Sequence, residues 1–329
     1  MMEQLKAAVN SEYGLTVSAI KPFHGVWRLI SAQGVFCLKR MRCDSQQLIS
    51  IHRQICQIAG SGFRGLLPFL TARDGRPFMI FRQQHFTVSP WLSGTNPDFT
   101  NLNQLKKTAE LWGRLHSVAL PPDLLVLNPA PDPWEELQAK TRFLASLPAR
   151  IRDHHNPNRI DRSLATWSGH FLTQAELSLK YLKELKYDVW LTGSAARGFC
   201  HNDPAPRNII IHNQNWYLID FELSRIGVLL NEWALLIGRA LQANCWDYEL
   251  IAPLFESYRG CRNQATEEFK FLPGLLCFPR AFWRLCSQRF EESLQWSERH
   301  FQSRLWELIH AEPQRVKLLQ HWFRELPQK

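Results

Sequence analysis

Nowhere in the 329 residues do about 20 apolar residues run together, so no segment reads as a membrane span. The opening stretch "MMEQLKAAVNSEYG" lacks the basic start and apolar run of a secretion signal. Cysteine occurs eight times, at 37, 43, 56, 200, 245, 261, 277 and 286, yet never as C-x-x-C and never with histidine at zinc-finger spacing. A disulfide framework and a zinc module are therefore not expected; buried, reduced thiols in a cytoplasmic protein are. Lys and Arg number 39 against 30 Asp and Glu, a net charge of +9, but no long Lys/Arg block concentrates the excess. Dedicated nucleic-acid binding thus has no specific support, whereas anionic partners such as nucleotides or phosphorylated substrates are favoured. Internal repeats and low-complexity tracts are also absent.

What is present is an ordinary globular composition, 45% hydrophobic, with 13 scattered tryptophans that read mostly as core. The first 90 residues mix strand and helix patterns. "GVWRLISAQGVFCLKRM" predicts two strands around a turn at Gln33-Gly34. In "QQLISIHRQICQIAG", Leu48, Ile51, Ile55 and Ile58 recur at steps of three and four, which predicts an amphipathic helix closed by Gly60. "LLPFLTARDGRPFMIF" predicts a further hairpin with Asp74-Gly75 in its turn. The Pro, Gly, Ser and Asn of "HFTVSPWLSGTNPDF" mark a boundary between an N-terminal lobe, 1–90, and a C-terminal lobe, 91–329. Beyond it the patterns are helical: one helix with Leu102, Leu105, Ala109, Trp112, Leu115 and Ala119 on a face, others over 134–146 and 163–186. A strand-rich island at 197–225 interrupts them. The fold class read from this order is α+β, a small sheet-rich lobe and a large, mainly helical one.

The island carries the chemistry. "FCHNDPAPRNIII" sets His201, Asp203 and Asn208 in the pattern H-x-D-x-x-x-x-N. "IIIHNQNWYLI" then predicts a hairpin turning at Asn213, Gln214 and Asn215. With arms of equal length, Asn208 and Asp220 become neighbours at its open end, and an amide oxygen beside a carboxylate suits Mg²⁺. Asp203, in the loop before the hairpin, is placed to orient or deprotonate a substrate hydroxyl in phosphoryl transfer. His201 and Pro204 are expected to fix the loop. Glu222 reads equally as a second acid near the metal and as a surface carboxylate. Lys39, closing the strand "VFCLKR" ahead of an amphipathic helix, is placed to hold nucleotide phosphates.

"HNDPAPRN" and "IDFE" together resemble the protein-kinase-like fold in its aminoglycoside phosphotransferase and choline kinase branch. The glutamate of "IDFE", where protein kinases carry glycine, is similar to the small-molecule branch. "LKR" at 38–40, "TARDGRPF" at 71–78, "WLSGT" at 91–95, "WGRLH" at 112–116 and "LLCFPRAFWRLCSQRF" at 275–290 resemble the CotS-type spore-coat subgroup. The resemblance implies a bilobal kinase-like fold and ATP-dependent transfer to a hydroxyl of a small-molecule or sugar-like acceptor. It implies Asp203 as catalytic aspartate, with His201 in the same loop. Asn208 and Asp220 become the Mg²⁺ ligands, Lys39 the ATP-phosphate lysine, and the 86–92 connection the adenine cleft. Spore-coat association and spore-coat protein partners are implied with it.

Two features depart from that pattern. The helix expected over 45–59 contains no glutamate to pair with Lys39; the nearest acid is Asp44, and His52 and Arg53 stand within the helix. The segment "FHGVWRL" offers a single glycine, Gly25, where a phosphate-covering loop has several. Both departures favour the alternative of a kinase-fold protein that serves as a structural or interaction module. For an acceptor pocket the basic stretch 149–162 and the tryptophans Trp91, Trp233 and Trp246 are candidates, with a solvated loop and core packing as their ordinary readings. The charge of +9 speaks mildly against a polycationic acceptor.

Overall fold

The computed structural model describes residues 2–153, 158–193, 196–262, 265–292 and 296–325. They form two compact units that alternate along the chain. The first comprises 1–130, 197–232 and 260–262; the second comprises 131–196, 233–259 and 263–329.

The first unit opens with helix α1 (Met2–Tyr13) and strands β1 (Val17–Phe23), β2 (Val26–Ser31) and β3 (Gly34–Met41). Helix α2 (Ser45–Gly60) and strands β4 (Met79–Phe81) and β5 (Gln84–Pro90) follow. The strands make one antiparallel sheet in the order β1-β2-β3-β5-β4. Alternation along β3 sends Leu38 into a core with Leu5 and Val9 of α1, Leu29, Met79 and Val88. Lys39, one residue on, therefore points to the opposite face, opposite Thr87 of β5. Asp44 caps α2 by accepting the Gln47 N–H at 2.8 Å. Leu48, Ile51, Ile55 and Ile58 are all fully buried on one helix face, as their spacing predicts.

Two turns differ from expectation. The β2–β3 turn is Ala32-Gln33, because Ser31 pairs with Gly34. Asp74-Gly75 does form a turn, but no hairpin: the strand pair there is β4 with β5, turning at Arg82 and Gln83, which both adopt positive φ (50° and 61°). Positive φ at both central residues matches the right-handed twist of paired strands, and turn composition alone pointed to the Asp-Gly dipeptide instead.

Helices α3 (Leu102–His116) and α4 (Pro122–Leu125) complete the N-terminal part of this unit. The island adds β6 (Arg197–Cys200), β7 (Ile209–His212), β8 (Asn215–Leu218) and β9 (Arg225–Val228). β6 pairs with β9, and β7 pairs with β8. The segment after β5 crosses β7 closely: Ile211 donates to Thr95 O at 2.8 Å. A Cβ on Gly94 would stand 2.2 Å from Ile211 O, so only glycine permits that approach.

The second unit is helical: α5 (Pro133–Asp153), α6 (Arg159–Glu184), α7 (Tyr187–Gly193), α8 (Leu229–Ala243, its first turn in the first unit), α9 (Ile251–Arg259), α10 (Ala265–Glu268), α11 (Leu272–Cys277), α12 (Arg280–Phe290) and α13 (Glu298–Glu325). Phe171 stacks on Phe282 with centroids 4.1 Å apart, and Trp233 on Tyr258 at 4.0 Å. Trp233 is thus core, the ordinary reading of an aromatic in a helical unit. Of the basic stretch 149–162, residues 154–157 lie outside the described residues; Asn158 and Asp161 form a reciprocal cap at the start of α6. No described helix is long and apolar enough to cross a membrane.

Candidate active site

His201 is fully buried and ties two segments together. Its Nε2 donates to Ile219 O at 2.7 Å, and its Nδ1 accepts the Asp203 N–H at 3.3 Å. Nε2 thus acts as the ring's donor and Nδ1 as its acceptor. The imidazole fixes the loop, the role expected from sequence.

Behind His201 lies a second buried brace. Glu232 accepts from the Asn202 N–H at 2.6 Å through Oε1 and pairs with His116 Nε2 at 2.8 Å through Oε2. Burial pushes the Glu232 carboxyl up, but the His116 hydrogen bond and charge, His201 and the Asn202 N–H together hold it below the usual glutamate value. His116, Cys200 and Glu232 also place one ligand atom each within 4.8 Å of one another. Both Glu232 oxygens are already engaged, and burial raises the Cys200 thiol far above its ordinary value, so this group serves as a brace. Sequence reasoning missed it; Glu232 lies 116 residues from His116, and no local spacing links them.

Asp203 is held from its own loop. Its Oδ2 accepts from Asn208 Nδ2 and from Arg207 Nη2, each at 2.7 Å. Asn208 Nδ2 donates also to Asp203 O at 3.0 Å. With its amide nitrogen turned to Asp203, Asn208 presents an oxygen that accepts no hydrogen bond among the described residues.

The hairpin register corrects the expected neighbours. Only Asn213 and Gln214, with φ of 48° and 64°, form the β7–β8 turn, and His212 pairs with Asn215. Asn208 therefore lies opposite Ile219, whose N–H donates to Asn208 O at 3.0 Å, and Asp220 stands one residue beyond the paired position. The three-residue turn read from composition shifted the register by one. Asp220 itself adopts φ 68°, ψ 66°, a left-handed conformation that is uncommon for non-glycine residues and that aspartate and asparagine visit most readily. Such local strain is retained where surrounding contacts fix it, and clusters at functional sites.

Those contacts are electrostatic. Lys39 Nζ is ion-paired with Asp220 Oδ1 and stands 3.6 Å from Glu222 Oε2. Glu222 Oε1 accepts the Arg42 N–H at 2.7 Å, and Cys43 Sγ donates to Glu222 O at 3.2 Å. The lysine without an acid on α2 thus meets two acids from the segment after β8. Of the two readings of Glu222, surface carboxylate fails: its side chain is 21% accessible and bound to the end of β3.

β1 and β2 are joined by His24 and Gly25 alone, Phe23 pairing with Val26, and the Trp27–Leu38 pairing puts this turn at the Lys39 end of β3. Phe23 packs edge-on against Trp91, with centroids 5.1 Å apart, and Arg28 lies over the same indole at 5.2 Å. Trp91, the residue after β5, therefore belongs to this aromatic corner.

The chemistry of the donor set fits a hard divalent cation: an unengaged amide oxygen on Asn208 and a carboxylate on Asp220 that is 37% accessible. The lysine and its two acids lie beside the carboxylate–amide loop, since Asn208 is opposite Ile219 and Asp220 follows it.

Solved structures share the architecture. The chain is similar to an aminoglycoside phosphotransferase from Alicyclobacillus acidocaldarius at 20% identity, with 97% of this chain and 95% of that one covered and a TM-score of 0.79. It is similar to an AMP-bound spectinomycin phosphotransferase at 14% identity, covering 96% and 97%, with a TM-score of 0.74. A choline kinase from Streptococcus pneumoniae matches at 15% identity, covering 98% and 99%, with a TM-score of 0.57. These likenesses define the class, the kinase-like α+β fold. No curated protein matches the sequence. A family model does, over residues 21–269: the chain belongs to the phosphotransferase enzyme family.

Proposed function

We propose that this protein is an ATP-dependent phosphotransferase that moves the γ-phosphate to a hydroxyl of a small-molecule or sugar-like acceptor. The observation that carries the reading is the convergence of Lys39, Asp220 and Glu222 beside a loop in which Asp203 and Asn208 are mutually fixed. Lys39 binds nucleotide phosphates and Glu222 holds its ammonium in place. Asn208 and Asp220 would hold Mg²⁺, which supplies charge neutralisation on the phosphates. Asp203, its carboxylate aimed by Arg207 and Asn208, orients the acceptor hydroxyl and takes its proton. His201 and Glu232 keep the loop in register without touching the reacting atoms. The lobes 1–90 and 91–329, the adenine cleft at 86–92, cytoplasmic location and the spore-coat subgroup with its protein partners belong to the same proposal.

One observation favours the alternative of a kinase-fold interaction module. A two-residue turn at His24-Gly25 supplies few N–H groups for phosphates. Differential scanning fluorimetry with MgATP separates the two. The expected result is a clear rise in melting temperature for the parent and none for Asp220→Ala. ADP release in the presence of an acceptor is then lost in Asp203→Ala while the thermal shift persists. A parent that shows no shift with MgATP overturns the enzyme reading.

A further inference from the structure

Within the first unit, the loop after α2, helix α3 and strand β8 line a cavity of about 380 Å³. It shares no lining residue with the site of Lys39, Asp203 and Asp220. Its volume falls in the range of small-molecule pockets. Gly65 and Leu111 are its buried lining, Phe63 and Trp216 are half-buried, and Arg64 and Arg114 are exposed at it. A Cβ on Gly65 would stand 2.7 Å from the Phe63 ring and 2.9 Å from Leu111 Cδ1, so glycine is what lets the loop lie against α3. The Leu218 N–H donates to Gly65 O at 2.8 Å and fixes the same loop to the end of β8. The walls are thus held by packing and a backbone bond, with the cavity formed in advance of any ligand.

The charges at this cavity are unanswered. Among the described residues, no ion pair and no side-chain hydrogen bond engages the guanidinium of Arg64 or of Arg114. Glu110 stands one turn before Arg114 on α3, and the charges of both reach Cys261, yet the two make no ion pair with each other. Arg114 lies in the last turn of α3, where the helix dipole favours a cation. Its charge is accommodated there while its donors stay free. Trp216 likewise has no ring partner, and its indole N–H has no acceptor, among the described residues.

An exposed arginine by itself is an ordinary solvated charge. Two of them without an acid, at a formed cavity walled by an indole, a phenyl ring and a leucine, are a different arrangement. The planar guanidinium forks suit a carboxylate or phosphate, and the apolar walls suit the body that carries it. We infer that this cavity binds a small aromatic anion, its carboxylate or phosphate held by Arg64 and Arg114 and its ring set against Trp216 and Phe63. The site goes beyond the phosphotransferase reading and does not depend on it.

The test uses the full chain and the variants Arg64→Gln, Arg114→Gln and Lys39→Met. Each is titrated calorimetrically with phenyl phosphate, benzoate, inorganic phosphate and benzyl alcohol, against sodium chloride at equal ionic strength. At least one of the two aromatic anions is expected to bind at millimolar concentration or below, about tenfold tighter than inorganic phosphate or benzyl alcohol. The tighter of phenyl phosphate and benzoate identifies the anionic group. Arg64→Gln and Arg114→Gln, both on exposed side chains, each weaken that binding about tenfold, the loss of one charge-assisted contact. Lys39→Met leaves it intact, and saturating MgATP does not displace the anion. Undiminished binding in either arginine variant overturns the inference, as does binding of inorganic phosphate or benzyl alcohol equal to that of the aromatic anions. So does the failure of both aromatic anions to bind. Loss in Lys39→Met, or displacement by MgATP, assigns the anion to the nucleotide site and overturns it as well.

Discussion

Single residues were legible where a motif named them, and opaque where their partners are distant in sequence. Short patterns mark Lys39, Asp203, Asn208, Asp220 and Glu222 as candidates, but not that Lys39 meets the last two. The sequence of α2 offers no acid, and Glu222 lies 180 residues from the Arg42 amide that holds it. A consequence belongs to this scale. Glu222→Ala removes both the charge facing Lys39 and the acceptor of the Arg42 N–H; Glu222→Gln removes only the charge. A half-buried pair of this kind is worth about 1 kcal/mol, so nucleotide affinity falls roughly five- to tenfold in the alanine variant and less in the glutamine variant. Fluorescence titration of MgATP, repeated across Mg²⁺ concentrations, checks this. A Mg²⁺ midpoint that moves while nucleotide affinity at saturating metal does not would place Glu222 on the metal instead of on the lysine.

Elements were legible through periodicity, and their junctions less so. The apolar steps of α2, those of α3 from Leu105 to Leu115, and the island of short strands appear where the spacing puts them, whereas Leu102 is exposed and Ala119 lies past the end of α3. What periodicity cannot give is the number of residues in a turn, and one residue decides which side chains face each other. In β7–β8, three turn-forming residues stand in a row, and only backbone conformation selects Asn213 and Gln214. Both have positive φ, which asparagine tolerates and glutamine does not favour. Gln214→Gly relieves that conformation without touching the site. It is expected to stabilise the protein by about 1 kcal/mol, read as a higher denaturation midpoint at unchanged nucleotide affinity. A destabilised Gln214→Gly variant would show that the glutamine side chain contributes more than its backbone conformation costs.

At the scale of the whole molecule, a contiguous reading from one end does not reach the interleaving of the two units, since 197–232 compacts with 1–130 across an intervening helical stretch. Composition alone also hides how buried titratable groups shape global stability. Lys140 has a folded pKa of about 8 against an ordinary 10.5, so between those values the unfolded chain binds more protons. Stability therefore rises with pH across that window. Buried thiols act in the opposite sense. Cys37, Cys43 and Cys277 are each raised from 9.0 to about 11, chiefly by burial. Between those values the unfolded chain has lost protons that the folded chain keeps, and stability falls. Cys200 and Cys286 are raised further still and reinforce the fall. Three or more thiols outweigh one lysine, which puts the stability maximum near the crossing of the two windows, at about pH 8–9. Urea denaturation midpoints from pH 7 to 10.5 give the curve. In Lys140→Met the rise from pH 8 to 9 disappears while the decline above 9 remains and steepens, because the opposing lysine has gone. A variant curve parallel to the parent's throughout would mean that Lys140 keeps an ordinary proton affinity in the fold, and that the charge around it is already compensated.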